Sequence, residues 1–168
     1  GIGGKELSEE NAAQTAKALN IIQPDFIRVH ATGIKLESKL GEFVRDGSFT
    51  LQSEEEIVIE QKLFLQQLHE MDSYYVNEHI VNLLLEVRGN LRTEKQEMLS
   101  TIDRFLTLPP DERLLFTVGR RLNIFFRLDD LKKPKLHQKA GESLQQILSK
   151  NPHVDFAALC NYVRQSQI

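Results

Sequence analysis

The order of local patterns constrains the fold of this chain most, because a helix pattern followed by a short strand pattern occurs twice within the first 80 residues. The first helix begins near Ser8, a hydroxyl residue that can cap a helix and that two acids follow, and it ends before Pro24. Residues 25–32 then alternate between apolar and polar side chains, which predicts a strand. Its two faces carry Ile27, Val29 and Ala31 on one side, and Arg28, His30 and Thr32 on the other.

The second helix and strand repeat this arrangement. Ser53 and Glu56 have the spacing of a capping box, so we expect a helix of about five turns that reaches about Glu70. Residues 73–77 form a short segment with two tyrosines, and this composition predicts a second strand. This order favours right-handed crossovers and a parallel sheet. The first 80 residues therefore predict an α/β fold with two or three short parallel strands.

From residue 78 onward the sequence predicts helices and no further strand, so the chain is expected to be mostly α overall. Thr93 and Gln96 have the spacing of another capping box. The charged residues 129–134 predict a solvated joint between helices. Three parts follow from these patterns: an α/β unit over 1–80, a helical extension over 81–131 and a C-terminal helical tail over 132–168.

Composition and charge exclude several classes of partner and site. The net charge of −3 lacks the basic footprint of a nucleic-acid-binding protein. The longest apolar runs fall far short of the roughly 20 residues that cross a bilayer, and no leader pattern is present, so we expect a cytoplasmic protein without a membrane partner. Cys160 is the single cysteine, which excludes an intramolecular disulfide and a thiolate-rich metal site within this chain.

Three glycines lie directly before the first predicted helix. Gly1, Gly3 and Gly4 leave room for a ligand to approach the backbone, and the N–H groups at the start of the helix can receive an anion or an adenine edge. The alternative interpretation is that the cluster is turn chemistry alone. We expect these glycines to form the turn after a preceding strand, and sites gather at the carboxyl ends of strands in such folds, which makes a binding role worth testing.

Polar residues also mark the ends of the two predicted strands. Arg28, His30 and Thr32 would point at the lumen of a closed or half-closed barrel, and Asn77 and His79 would follow the second strand at the same edge. A lumen with such side chains is more consistent with a ligand than with a dry core. The alternative is a strand at a sheet edge with its polar face in water.

Other reactive residue types have simpler interpretations. His79 is also typical of a helix start or a turn. Arg120 and Arg121 are expected on a solvated helix face. Cys160 lies among apolar residues of a predicted helix and is expected to be buried and inert.

The segment GIGGKELSEENA at residues 1–12, followed by PDFIR at 24–28, resembles the second half of a radical S-adenosylmethionine (SAM) domain. In that family a glycine-rich turn closes the fifth strand of a partial (β/α)6 barrel, and the sixth strand follows the next helix. The resemblance covers residues 1–80. Residues 81–131 are similar to the helical extension of a subgroup often described as iron–sulfur oxidoreductases. The resemblance thus implies the C-terminal part of a partial barrel.

The resemblance also implies cofactors and a reaction for a longer parent enzyme. A CxxxCxxC loop near the first strand would bind a [4Fe-4S] cluster, which cleaves SAM to a 5′-deoxyadenosyl radical. Family contacts to the adenosine part of SAM carry over to two groups of residues: Gly1, Gly3 and Gly4, and Val29, His30 and Ala31. Where many relatives have a Pro-Gly-Thr-like turn, residues 33–38 differ, so contacts of that loop do not carry over. Our substrate-binding candidates are Arg28, Thr32, Asn77 and His79.

These expectations define what the chain should do alone and what should bind it. Because the three cluster cysteines are not in this sequence, we expect the chain to hold no metal or cofactor and to be inactive by itself. Its partner would be the N-terminal half of the same protein, and a homodimer would also cover an open strand edge. Two other functions stay open: a helical adaptor for protein contact, and a different α/β barrel enzyme whose glycine turn binds a phosphate.

Overall fold

The structure is a computed structural model that describes residues 1–167. Its helices are α1 (Ser8–Ile22), α2 (Lys39–Asp46), α3 (Glu54–Gln67), α4 (Lys95–Leu106), α5 (Pro110–Arg121), α6 (Pro134–Lys150) and α7 (Phe156–Gln165), with a 3-10 helix at Leu128–Lys132. Its strands are β1 (Phe26–Arg28), β2 (Tyr74–Val76) and β3 (Gly89–Asn90). In the part of the chain that the structure describes, none of these helices has the apolar length that a bilayer crossing requires.

The three strands form one small mixed sheet in the order β1-β2-β3. β1 and β2 pair in parallel, with Phe26 opposite Tyr74 and Arg28 opposite Val76. β3 pairs with β2 in the antiparallel sense, with Gly89 opposite Tyr75. The predicted parallel pair is therefore present, the third strand is not parallel, and the chain is mostly helical.

Helices α1 and α3 cover one face of this sheet. Ile27 of β1 and Tyr75 of β2 are buried against them, and the rings of Phe64 and Tyr75 lie 6.4 Å apart between centroids. The opposite face is open, and Phe26 is 69% exposed on it. The predicted alternation is observed in β1, where Ile27 is buried while Phe26 and Arg28 are exposed, but the strand ends at Arg28 and does not reach the predicted Thr32.

The helical half supplies the aromatic part of the core. Phe105, Phe116 and Phe125 are fully buried, and the rings of Phe116 and Phe125 stack 5.9 Å apart. Gly119 makes this packing possible, because a Cβ atom there would lie 2.3 Å from the Phe125 ring. Substitution of this glycine would therefore force apart α5 and the segment that follows it.

The helix starts show which capping signals were correct. The capping box at Ser53 and Glu56 is confirmed: the Ser53 hydroxyl accepts from the Glu56 N–H at 3.2 Å, and the Glu56 carboxylate accepts from the Ser53 N–H at 2.7 Å. The predicted helix start near Ser8 is confirmed, but the predicted cap is wrong, since Ser8 is the first residue of α1 and its hydroxyl donates to Glu60 of α3. Thr93 and Gln96 form no capping box, and α4 begins at Lys95 without a side-chain cap.

Residues 78–94 also differ from the prediction of helices only. The apolar run 80–85 lies in turns, where Leu83 and Leu84 are buried, and β3 follows. Gly89 has a φ of +151°, which is accessible to glycine but rarely to other residues. No local pattern predicts this strand, because glycine and asparagine are depleted in strands and β3 is defined by its pairing with β2.

Arg120 and Arg121 correct the prediction of a solvated face. Their side chains are 1% and 5% exposed. Burial and the neighbouring charge of Arg121 lower the pKa of Arg120 to about 10, so it still carries its charge at neutral pH. The physical reason for the burial is local: both guanidinium groups donate to backbone carbonyls in the segment that follows β2, and Arg121 also pairs with Glu54. Asp130, in the predicted solvated joint, is buried as well.

Candidate functional site

A cavity of about 200 Å³ lies between the carboxyl ends of β1 and β2 and the helices α1 and α3. The carboxyl ends of parallel strands are the usual place for ligands in α/β folds. The cavity walls are mostly apolar and come from both helices and from the segments after both strands. The apolar lining residues include Ala12, Val29, Ile57, Val58, Phe64 and Leu83.

This cavity brings together residues that the sequence placed in two separate groups. Six of the ten candidates line it: Gly1, Val29, His30, Ala31, Thr32 and Asn77. Parallel pairing of β1 and β2 causes the convergence, because it puts both carboxyl ends at one edge of the sheet. The remaining four, Gly3, Gly4, Arg28 and His79, lie outside the lining.

Gly3 and Gly4 build the turn before α1. Gly4 is buried with a φ of +62°, and a Cβ atom there would approach the carbonyl oxygen of Thr50 to 3.0 Å. The Gly3 carbonyl accepts a hydrogen bond from the Leu7 N–H at 3.3 Å. Turn chemistry therefore accounts for these two glycines, and of the three only Gly1 lines the cavity.

Arg28 and His79 follow or end the same strands but do not line the cavity, and each has other contacts. Arg28 is exposed on the open face of the sheet, opposite the face that α1 and α3 cover. His79 stacks on His30 with ring centroids 4.1 Å apart. Burial, together with the charges of His79 and Arg28, lowers the pKa of His30. The His30 ring is therefore neutral at pH 7 and can offer one donor and one acceptor at the rim.

Glu60 is the charged group of the cavity, and four donors surround its carboxylate. The Gly1 nitrogen and the Asn11 amide each donate to Oε1 at 2.9 Å, while the Ser8 hydroxyl donates to Oε2 at 2.8 Å and the Gln52 amide at 2.9 Å. Two carboxylate oxygens offer about four lone-pair sites, so these donors occupy them all. Glu60 therefore shapes the site and is not free to bind a ligand cation or to accept a proton from one.

The same contacts set the protonation state of Glu60. Burial alone would raise the pKa of this carboxyl, but the hydrogen bonds from the Gly1 nitrogen, Ser8 and Gln52 outweigh burial. The net result is a pKa below the ordinary value of a glutamate. The carboxylate is thus ionised at neutral pH and fixed in place.

Asn82 joins the two segments that form the cavity rim. Its Oδ1 accepts from the Ala31 N–H at 2.6 Å, and its Nδ2 donates to the Val29 carbonyl at 2.8 Å. The Asn82 amide thus pairs with the N–H of Ala31 and the carbonyl of Val29. These hydrogen bonds replace the backbone hydrogen bonds that the chain after β1 would make to a longer β2. The segment after β1 therefore keeps an extended path past the end of the sheet.

Tyr75 supplies a polar group on the otherwise apolar floor. Its ring is fully buried, and its hydroxyl accepts from the Gln61 amide at 2.9 Å. Burial raises the pKa of the Tyr75 phenol, so the hydroxyl keeps its proton. Because both residues line the cavity, the O–H is available to donate to an acceptor atom of a ligand.

The thiol of Cys160 is remote from this chemistry. It is 2% exposed, and burial, with the charge of Glu54, raises its pKa to about 12. Its predicted burial is confirmed, and a protonated, buried thiol is a poor nucleophile and metal ligand. Over residues 1–167, histidine, cysteine, aspartate and glutamate side chains form no group of three placed to hold a metal ion.

Sequence reasoning missed Glu60 and Asn82, although Glu60 had a usable signal. Glu60 lies three residues after Ile57 and four before Phe64, so it interrupts the apolar stripe of α3. A carboxylate on a buried stripe must find donors, which indicates a built polar site. Asn82 had no such signal, because its partners are about 50 residues away in sequence.

Comparisons with known proteins identify no relative of this chain. A scan of protein-family models, a search of curated proteins and a search of solved structures each find no match. The functional argument therefore depends on the residues of the cavity and on the resemblance of residues 1–12 and 24–28 described above.

Proposed function

We propose that this chain is the C-terminal part of a radical SAM enzyme and that its cavity binds the adenine end of SAM. The carrying observation is the convergence at one cavity of Gly1 with residues 29–31, the two groups to which the resemblance assigns adenosine contacts. Nothing in the local sequence joins these groups, which are about 30 residues apart. The fold of a partial barrel, with β1 and β2 as two of its strands, belongs to the same proposal.

The shape and polarity of the cavity support this ligand. Its volume of about 200 Å³ is smaller than the roughly 300–1,000 Å³ clefts that enclose whole drug-sized ligands, so it suits one ring system. Apolar walls suit the faces of a purine, and the Tyr75 hydroxyl and the His30 ring offer hydrogen bonds to its edge. Because the lone pairs of Glu60 are already used, the sulfonium end of SAM would lie outside the cavity.

The residues described here do not fit the iron–sulfur cluster. Such a cluster needs three thiolates in this family, and Cys160 is single, buried and protonated. In the family the cluster provides the electron that cleaves bound SAM, so this chemistry would require residues outside this sequence. The role that we assign to the chain is to bind and orient the adenosine end.

The open face of the sheet supports a partner in the form of the N-terminal half of the same protein. Phe26 and Tyr74 are neighbours on this face, with rings 6.4 Å apart, and Ile21 and Ile22 of α1 are also exposed. An edge strand beside exposed apolar side chains is a surface that proteins usually cover. We expect the isolated chain to dimerise through it, and sedimentation equilibrium of wild type and Phe26→Asp would show a loss of dimer in the variant.

The alternative of a phosphate-binding barrel enzyme is disfavoured by Glu60. The glycine turn and the start of α1 direct donors from Gly1, Ser8 and Asn11 to this carboxylate. An anion of the chain thus occupies the place where a phosphate would bind, and it would repel one. The adaptor alternative would use the open face instead and predicts no ligand in the cavity.

Titration of the chain with SAM tests the proposal. We expect chemical-shift changes confined to cavity residues such as Val29, Ala31 and Thr32, and none with methionine, which lacks the adenine. Thr15→Trp places a large ring at the cavity wall and should abolish these changes, whereas Gln14→Trp adds the same ring to the same helix outside the cavity and should preserve them. Equal shifts with methionine, or no shifts with SAM, would contradict the proposal.

A further inference from the structure

The segment after β1 is held by the last helix of the chain. Asn161 of α7 accepts from the Ile34 N–H at 2.8 Å and donates to the Ile34 carbonyl at 3.0 Å, which mimics one step of a β-ladder. Arg164 donates from Nε to the Thr32 carbonyl at 3.1 Å. Both side chains are at most 3% exposed. Thr32 lines the cavity, so the contacts from α7 hold one segment of the cavity rim, residues 32–34, in place.

The segment after β2 is held in the same way by α5. Arg121 donates to the Val81 carbonyl at 2.9 Å, and Arg120 donates to the carbonyls of Ile80 and Asn82 at 3.1 and 3.2 Å. Asn82 is itself the residue that joins this segment to the one after β1. Both rims of the cavity are therefore attached to helices of the C-terminal half.

Glu54 of α3 connects the two attachments. Its carboxylate receives two hydrogen bonds from Arg121, at 3.1 and 2.5 Å, and another from Arg164. The guanidinium groups of Arg121 and Arg164 contact this one carboxylate, and the neighbouring guanidinium group of Arg120 is buried as well. Carbonyls of the two rim segments accept from several of their other donors, whereas Arg120 Nε and Arg121 Nη1 are buried without a hydrogen-bond partner. The charge imbalance thus explains why these segments are bound so closely.

We infer that α7 positions the cavity for its ligand: Asn161 and Arg164 fix residues 32–34, and Glu54 couples them to the arginine that fixes the segment after β2. The ligand part of this inference rests on the proposed function. Asn161 and Arg164 are positioning residues, because they act through the backbone of the rim and line no part of the cavity.

Amide hydrogen exchange of Asn161→Ala tests the positioning role directly. We expect exchange at Ile34 to accelerate by about tenfold, because the hydrogen bond of its N–H is lost, while exchange in β2 stays unchanged. Tyr162→Ala is the matched control, since Tyr162 is the next residue of α7 and is 65% exposed. A merely structural α7 would instead accelerate exchange throughout the core, and that result, or unchanged exchange at Ile34, overturns the inference.

The second readout is the affinity for SAM. Asn161→Ala should weaken binding several-fold, and saturating SAM should slow exchange at Ile34 in wild type, because coupling between two sites is reciprocal. If Asn161→Ala does not fold, Asn161→Asp keeps an acceptor for the Ile34 N–H but replaces the donor to the Ile34 carbonyl with a charged oxygen that repels it. This variant should also bind SAM less tightly than wild type. If wild type binds no SAM, the proposed function fails, whereas exchange at Ile34 still decides the positioning role.

Discussion

Helix α3 carries two buried carboxylates, Glu54 and Glu60, and their surroundings differ in kind. Glu60 lies beside the cavity, and its partners are a serine, two side-chain amides and the Gly1 nitrogen. Glu54 lies nearly two turns earlier on the helix, and its partners are the guanidinium groups of Arg121 and Arg164. The Glu60 contacts link α1 and α3 in the first half of the chain, whereas the Glu54 contacts link α3 to α5 and α7.

Because their partners differ, the two buried carboxylates should have different roles in the protein. Mostly neutral donors around Glu60 hold one ion at a fixed point, so the local structure tolerates a change in its charge at a moderate cost. Guanidinium groups around Glu54 are ions themselves, and removing the carboxylate would leave them buried without a counter-charge. We therefore expect Glu54 to govern global stability and Glu60 to govern the local shape of the cavity.

The largest effect should come from Glu54→Gln. Breaking a buried ion pair by removing one partner typically costs about 3–5 kcal/mol, so the free energy of unfolding should fall by about that amount. Urea denaturation followed by circular dichroism measures it. The matched control is Glu55→Gln, the next residue of α3, which is half-exposed and pairs with Arg113 at the surface. That control should lose no more than about 1 kcal/mol.

The comparison weakens if Glu54→Gln and Glu55→Gln lose similar stability. Such a result would mean that backbone carbonyls alone compensate Arg121 and Arg164, and that the carboxylate adds little. It would also remove the coupling role assigned to Glu54 while leaving the Asn161 contacts with Ile34 intact.

A smaller effect is expected for Glu60→Gln. The amide has nearly the same shape, but one of its ends is a donor that faces other donors, so a loss of about 1–3 kcal/mol is expected. Urea denaturation under the same conditions gives the comparison with Glu54→Gln. Ligand titration gives the sharper contrast, because Glu60→Gln should also alter the chemical shifts of cavity residues in the free protein. A larger stability loss than that of Glu54→Gln would reverse the assigned roles.

The two carboxylates also show how far the sequence predicts this structure. The apolar stripe of α3, with Val58 and Phe64, was apparent, and the confirmed capping box at Ser53 placed its start. Both glutamates fall on that stripe, so their burial could be predicted from the sequence, but the residues that pair with them could not. The contact of Arg164 with Glu54 spans 110 residues, and no local periodicity encodes a pairing at that separation.

The same reason separates the confirmed strands from the missed one. Alternation in residues 25–32 correctly placed Ile27 inside and Arg28 outside, because that pattern is local. β3 is a strand only because it pairs with β2, which a local pattern does not encode. Similarly, Arg121 can be buried because a carbonyl in a distant turn accepts its hydrogen bond. Likewise, parallel pairing brought six candidate residues to one cavity, whereas no local pattern predicts which buried charges behind it pair with one another.

The pH dependence of stability should distinguish Glu60 from its glutamine variant. The pKa of Glu60 is lowered in the folded state, so its contribution is present above the unfolded pKa, near 4.5, and is lost as pH falls through the folded pKa. The stability difference between wild type and Glu60→Gln should thus be constant from pH 7 to 5 and shrink at lower pH. Thermal unfolding between pH 3 and 7 measures it. A difference that grows on acidification would mean that the Glu60 pKa is raised.

The smallest predicted effect belongs to Ser8→Ala. Ser8 donates to Glu60 at 2.8 Å and accepts from Gln52 at 2.9 Å, but Gln52 also donates directly to Glu60, so the network survives in part. We expect a loss of about 0.5–1.5 kcal/mol, the net value of one hydrogen bond. The loss should largely disappear in the Glu60→Gln background, because contacting residues couple in a double-mutant cycle. Equal losses in both backgrounds would show that Ser8 stabilises the start of α1 by itself and does not act through the carboxylate.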